Sequence, residues 1–419
     1  PGGRGPVTEV AVGIDCGTSG MRLVAIDADG RTAFMAARAY GGAPGDPASW
    51  AGGLEDLLDA LNAEQMSVRR IAIDGTSGTL LACDEAGEAI GQAILYDEPC
   101  EDTALLAAID AAAPPTSVAR GASSGLARAI RLAARPGAAR ILHQADWLAG
   151  RLTGRFDQSD ENNALKTGYD PVSRTWPAWM EGVGAPLGRL PSVHPVGTDL
   201  GPVQGSWTSR YPCLQGATVA AGTTDGCAAF LASGASEVGE AVTSLGSTLV
   251  LKVLADRPIF EPRYGLYSHR IGDRWLAGGA SNTGGAVLAE HFTVADMEAL
   301  GPRLRPDVPT GHDAYPLRRP GERFPINDPN LAPRFPPRED DAIFLQALFE
   351  GMAAIEARGY ALIESLGGPR LASVRTAGGG AASAAWTEIR RRALNVPFPE
   401  TVSGDAAYGT ARLAQGAVP

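Results

Sequence analysis

Two aspartates stand where chemistry can be done. Val12-Gly13-Ile14-Asp15 is a short apolar strand that ends in an acid and runs into Cys16-Gly17-Thr18-Ser19-Gly20. Thr218-Val219-Ala220-Ala221 behaves in the same way, entering Gly222-Thr223-Thr224-Asp225-Gly226 ahead of the apolar, helix-like run 227–232. Asp225 is thereby placed at a strand-to-helix turn, where α/β proteins commonly bind ligands. Two further glycine turns accompany them: Leu245-Gly246-Ser247-Thr248, and Gly378-Gly379-Gly380 between a strand and a helix. Phosphoryl transfer needs these parts: turns whose N–H groups face phosphate oxygens, an acid that holds Mg²⁺ through water, and an acid that accepts the proton of an attacking hydroxyl. Either acid alone reads as a turn or capping residue; their joint placement favours chemistry.

Other ways of doing chemistry find little support. Lys166 and Lys252 are the only lysines, and neither lies in G-x-x-x-x-G-K-[ST], so the P-loop is excluded; G-x-G-x-x-G is also missing. Gly121-Ala122-Ser123-Ser124-Gly125 satisfies the nucleophile-elbow pattern, but the preceding Ala113-Pro114-Pro115-Thr116-Ser117 is loop composition rather than a strand, which argues against a catalytic Ser123. His143, His194, His269, His291 and His312 are widely separated and show no zinc-ligand spacing. Cys16, Cys83, Cys100, Cys213 and Cys227 are odd in number and scattered, as expected of reduced thiols.

The elements that must position the acids follow from the pattern around them. Strand, Gly-hydroxyl turn and second strand, with Asp29-Gly30 turning into a third strand from Arg31, form a meander. The theme returns over 240–254, which predicts a duplicated fold with one phosphate turn per half. Ile71-Ala72-Ile73-Asp74 is a buried-looking strand running into Gly75-Thr76-Ser77-Gly78, with a helical stretch over 49–61 before it, so strands and helices alternate as in α/β proteins. Residues 302–337 are rich in Pro and Arg and read as an irregular excursion over the surface. Leu345, Leu348, Phe349, Met352 and Ile355 then recur at helical spacing, closing near Gly367-Gly368.

At 419 residues, with 44% hydrophobic and 20% charged, the chain is predicted to be globular and to make two domains or three. The net charge of -11 gives no general attraction to phosphate backbones or anionic lipid, so neither nucleic acid nor membrane is expected as a partner. No apolar run reaches the ~18 residues of a membrane span, and residues 1–10 lack a signal-peptide core. A cytoplasmic location is the resulting expectation; the first residue is Pro, not Met.

Taken in order, Gly13-Ile14-Asp15-Cys16-Gly17-Thr18-Ser19, Ala221-Gly222-Thr223-Thr224-Asp225, Ser244-Leu245-Gly246-Ser247-Thr248, Gly321-Glu322-Arg323-Phe324-Pro325 and Ala377-Gly378-Gly379-Gly380 resemble the FGGY carbohydrate kinase family over essentially the whole chain. The resemblance implies an α/β, two-domain actin-like ATPase (ribonuclease H-like) fold, duplicated, with ATP and sugar in the interdomain cleft. It implies a sugar-binding domain over 1–232 completed by 404–419, and a nucleotide-binding domain over 233–403. Asp225 matches the family's catalytic base and Asp15 the acid that organises sugar and, through water, Mg²⁺. Thr18, Gly246, Ser247, Gly279, Gly379, Gly380 and Ser383 fall at nucleotide positions; Ser19, Gly20 and Ser77 join the two acids at the sugar. Gly75-Thr76-Ser77-Gly78 and Tyr96-Asp97-Glu98-Pro99 stand where xylulose and glycerol kinases resemble Q-x-H-G and W-x-D-x-R. With Gln144-Ala145-Asp146-Trp147-Leu148, Asn163-Ala164-Leu165-Lys166 and Tyr267-Ser268-His269-Arg270, this looks like the cyanobacterial and plant D-ribulose kinase branch. The implied protein is an ATP:sugar phosphotransferase with ATP and Mg²⁺ as cofactors, acting as a monomer or homodimer.

Overall fold

The computed structural model describes residues 8–419; the first seven positions, on which part of the leader reading rests, lie outside the described residues. The chain divides into two compact units. Unit 1 holds the residues up to Ala232 together with His269–Gly272 and Asp405–Pro419; unit 2 holds Ser233–Ser268 and Asp273–Gly404.

Unit 1 is built on strands β1 (Glu9–Cys16), β2 (Gly20–Ile26), β3 (Thr32–Ala39) and β4 (Ser67–Gly75), then the short pairs β5 (Leu80–Cys83) with β6 (Arg140–His143) and β7 (Gln158–Asp160) with β8 (Ser192–His194), and finally β9 (Asp199–Pro202) and β10 (Thr218–Thr224). Its six-stranded sheet has the order β3-β2-β1-β4-β10-β9, with β1, β4 and β10 parallel and β2, β3 and β9 antiparallel to their neighbours. The connecting helices are α1 (Pro47–Ala63), α2 (Thr103–Ala112), α3 (Gly125–Ala133), α4 (Gln144–Thr153), α5 (Glu161–Leu165), α6 (Gly205–Arg210) and α7 (Asp225–Ala232).

The theme is repeated in a second sheet, of β11 (Glu240–Leu245), β12 (Leu249–Ala255), β13 (Tyr267–Ile271), β14 (Arg274–Ser281) and β15 (Ser373–Ala377) in the order β13-β14-β12-β11-β15, all in unit 2 except the end of β13 from His269, which belongs to unit 1. Helices α8 (Gly285–Leu288), α9 (Val294–Leu300), α10 (Asp341–Ser365) and α11 (Ala384–Leu394) belong to unit 2, and α12 (Ala406–Gln415) returns to unit 1. In each unit a first strand pairs antiparallel with the next and parallel with a later one: β1 with β2 and β4, β11 with β12 and β15. The duplication expected from two short similar turns is therefore present in the sheets.

The alternation in β1 decides what packs on either face. Val10, Val12 and Ile14 join Trp50, Leu54, Leu57 and Leu58 of α1 in one core, while Ala11 on the other face meets Ala407, Ala411 and Ala414 of α12. Small residues there let α12 lie against the strand itself: a Cβ on Gly13 would stand 2.1 Å from both Ala407 O and Ala411 N. Helix α10 is capped by Asp340, which accepts from Ala342 N and Ile343 N, and its five periodic residues are all buried. It ends as expected, with Gly367 at φ +93°. Among the described residues no helix is long and apolar enough to cross a membrane, and all five cysteines are buried free thiols.

Candidate functional site

Three carboxylates gather at the carboxyl ends of the parallel strands of unit 1. Asp15 is the penultimate residue of β1, and its register partner on β4 is Asp74. Asp74 in turn pairs with Thr223 of β10, two residues before Asp225, the first residue of α7. Strand β10 runs to Thr224, three residues further than the sequence suggested, so the turn into α7 is immediate. Asp225 Oδ1 accepts from Gly226 N at 2.6 Å.

Electrostatics tie the three together. Burial raises the Asp15 carboxyl above the usual range, and the charges of Asp225 and Asp405 push the same way. Burial likewise places Asp74 well above it, reinforced by Asp15 and Asp225. Thr410 Oγ1 of α12 donates to Asp74 Oδ2, whereas Asp74 Oδ1 is buried without a hydrogen-bond partner. Asp405 caps α12 and lies 3.7 Å from Arg22, whose charge acts to lower Asp15.

The first turn presents Thr18 and Ser19 exposed at its tip, closed by Gly17 N donating to Gly20 O at 3.0 Å. Gly20 has a packing reason of its own, since a Cβ would stand 2.3 Å from Arg38 O of β3. In the turn after β4, Ser77 Oγ is buried with no hydrogen-bond partner, and the Ser77 carbonyl accepts from Lys166 Nζ at 3.2 Å.

In unit 2 the second and third glycine turns meet. Gly246, Ser247 and Thr248 join β11 to β12, and a Cβ on Gly378 would stand 2.7 Å from Leu245 O. Gly380 is held against Leu245 and Trp386, while Gly379 is exposed with open space around it. Ser383 caps α11, its hydroxyl accepting from Trp386 N at 3.2 Å. Gly279 is not brought to these turns: it lies buried within β14, where a Cβ would meet Phe324 at 2.8 Å and Leu266 at 2.9 Å. The lack of a side chain at Gly279 serves packing.

The Pro/Arg-rich excursion does more than cross a surface. Arg318, Arg319 and Arg323 line an open cavity of about 980 Å³ together with Ser247, Thr248 and Asn282. Glu322 at its wall accepts from Ser281 Oγ (2.5 Å), Asn282 N and Arg323 N (both 2.9 Å), and Arg323 Nε donates to Ala280 O at 2.7 Å. Arg318 pairs with Glu290 at 2.6 Å. An anion would find two guanidinium groups, Arg319 and Arg323, that have no carboxylate partner among the described residues.

The residues fit a hard cation arriving with phosphates. Among the described residues no group of three His, Cys, Asp or Glu side chains forms a metal cage. Mg²⁺ is ordinarily held by one or two carboxylates with water and phosphate oxygens completing its shell. Asp15, half-buried and crowded by like charge, is the carboxylate suited to that role.

Asp74 was not picked out from the sequence, yet a signal existed. Asp15 and Asp74 are each followed by Gly-Thr-Ser-Gly, directly after Asp74 and one residue later after Asp15. Thr410 carried no such mark. Ser123 lies exposed in a loop ahead of α3 and, as its composition predicted, the segment 113–117 before it is not a strand.

No family model matches the chain. Curated autoinducer-2 kinases of Yersinia pestis (strain Pestoides F) and Yersinia pseudotuberculosis (serotype O:3, strain YPIII) are 28% identical over 297 residues, covering 65% of this chain and 56% of each relative. The match thus spans little more than half the length of those relatives. Among solved structures, xylulose kinase from Rhodospirillum rubrum superimposes with a TM-score of 0.82 at 20% identity, over 97% of this chain and 89% of that one. Gluconate kinase from Lactobacillus acidophilus (17% identity) and Plasmodium falciparum glycerol kinase with ADP (16%) also reach 0.82, over 98% of this chain and 90% of theirs. The fold is the two-domain, actin-like ATPase fold of the FGGY sugar kinases.

Proposed function

We propose that this chain is an ATP- and Mg²⁺-dependent kinase that transfers the γ-phosphoryl group of ATP to the terminal hydroxyl of D-ribulose, giving D-ribulose 5-phosphate. The observation that carries the reading is Asp225, an acid at the first position of a helix and the carboxyl end of a parallel strand, with Asp15 and Asp74 beside it. Asp225 accepts the hydroxyl proton while the sugar oxygen bonds to the γ-phosphorus and the bond to the ADP oxygen breaks. Ser77 Oγ bonds a sugar hydroxyl in this reading, which its being buried without a protein hydrogen-bond partner supports. Asp15 orients the sugar and holds the cation through water. Mg²⁺, when bound, neutralises phosphate charge that builds during transfer. In unit 2 the turn at Gly246–Ser247 and the exposed Gly379 offer main-chain N–H groups to the nucleotide.

The absence of the His and Arg that xylulose and glycerol kinases are expected to present to sugar hydroxyls favours D-ribulose, with D-xylulose and ribitol first among the alternatives. The curated relatives are autoinducer-2 kinases, so autoinducer-2 belongs among the acceptors tried. An actin-like ATPase that transfers to no sugar is the reading from a different class. Coupled ADP release with Mg²⁺-ATP, measured against D-ribulose, L-ribulose, D-xylulose, ribitol, glycerol and autoinducer-2 with a no-sugar control, separates them. Selective stimulation by D-ribulose is expected; stimulation by another acceptor moves the substrate, and turnover indifferent to every acceptor overturns the kinase reading.

A further inference from the structure

The ladder that carries Asp225 is irregular where it matters. Strand β10 pairs regularly with β4 from Thr218 to Ala220, slips, and resumes at Thr223. Gly222 lies in the slip, so close to β4 that a Cβ would stand 1.8 Å from Ile73 O. A slip of this kind re-aims the chain beyond it. On the opposite edge the support also runs out. Strand β9 reaches Ala220, and Ala221 still exchanges backbone bonds with Gly197 and Thr198 at 2.8 and 2.7 Å. Among the described residues no strand pairs with Thr223 on that side.

Helix α5 takes the place of the missing strand with two consecutive amides. Asn163 Nδ2 donates to Thr223 O at 2.9 Å and to Asp160 Oδ2 at 2.6 Å. Asn162 Nδ2 donates to Thr223 Oγ1 at 3.0 Å, and Asn162 Oδ1 accepts from Arg270 N at 3.1 Å. Asp160 fixes both residues by accepting from their backbone N–H groups at 2.9 Å. Asp160, Asn162, Asn163 and Thr223 are at most 1% exposed. The two neighbours of Asn163 Nδ2 are a carbonyl and a carboxylate, both acceptors, so only a donor can stand there.

We propose that Asn162 and Asn163 are positioning residues that hold the end of β10, and so aim Asp225 at the reacting hydroxyl. The inference rests on the kinase reading for its catalytic consequence. The two amides differ in what they tolerate. Asn163→Asp is nearly isosteric but sets an acceptor against two acceptors, whereas Asn162→Asp keeps partners that can donate to it, the Thr223 hydroxyl and Arg270 N–H.

Steady-state kinetics with the preferred acceptor, read beside hydrogen exchange of the amides over 222–226 and thermal unfolding, test the clamp. Asn163→Asp is expected to lower kcat by about a hundredfold, the scale of a misaimed catalytic group, with the sugar KM within about threefold. It should also accelerate exchange over 222–226, and Asn162→Asp should lose less. Should Asn163→Asp fail to fold, Asn163→Ala, which removes the donor without adding charge, is read in the same way. Wild-type turnover in the Asn163 variant, or a loss confined to KM, overturns the proposal. If the wild-type chain phosphorylates no acceptor, the kinase reading fails by itself and exchange alone decides: unchanged protection over 222–226 in the variant overturns the clamp.

Discussion

A single acid at a strand end means little until its neighbours are known. Asp225 and Asp15 were legible in the sequence because each follows an apolar strand and touches glycine and hydroxyl residues. Asp74 was equally placed but looked like the end of a buried strand, and Thr410, which bonds it, lies 336 positions away. Replacing Asp225 with Asn keeps shape and removes proton acceptance. Turnover of the sugar is expected to fall by about a hundredfold or more, and a variant near the wild-type rate would remove Asp225 from the base role. A second residue-scale prediction concerns stability rather than catalysis. Burial raises Glu161 from 4.5 to about 7 and Asp160 from 3.8 to about 6. The folded chain therefore binds more protons than the unfolded chain from about pH 4 to 7, so this contribution to stability falls as pH rises through that window. The urea midpoint should drop between pH 5 and 8. Glu161→Gln, which cannot ionise, should flatten the drop; an unchanged slope would show that these acids do not govern it.

Glycine is where element-level reading from sequence loses its footing, because the same residue serves a ligand turn and a tight packing contact. Gly246 and Gly379 lie in turns, as expected. Gly20 and Gly279 instead make room for Arg38 O and Phe324, partners that no local pattern reveals. Gly13 shows the energetic stake. Both atoms that a methyl group there would strike belong to the backbone of α12 and cannot rotate away. Gly13→Ala should thus force helix from strand and destabilise unit 1 by about 3 kcal/mol, the upper range for overpacking. Denaturant unfolding measures this directly, and a midpoint unchanged within error would contradict the packing account. The period and terminal glycine of the long helix α10 were readable in the sequence, whereas its cap, Asp340, was not singled out.

For the molecule as a whole, alternation of strands and helices and a short recurring turn were enough to indicate a duplicated α/β fold. They were not enough to show that β2 and β12 are followed by different partners, or that residues 302–337 would line a cavity beside Ser247. Such pairings depend on contacts between distant segments, which local composition does not encode. The return of α12 to unit 1 is of the same kind. Ending the chain at Gly404 removes Thr410 from Asp74, the small-residue face from β1, and Asp405 from the neighbourhood of Asp15. Calorimetry of that truncated chain should lose the unfolding transition of unit 1 and keep that of unit 2, while retention of both would show α12 to be dispensable.

Gly13 and Thr410 are 397 positions apart (410 − 13), yet α12 presses on β1 with no side chain between them. On a ribosome adding about 5–20 residues each second, the strand bearing Asp15 emerges roughly 20–80 s before the helix that covers it. Throughout that interval the sheet face that carries Ala11, Val24, Ile26 and Ala72 lacks its α12 cover, and Asp74 has not met Thr410. Asp74 therefore meets its Thr410 partner only after every segment of unit 2 has been synthesised.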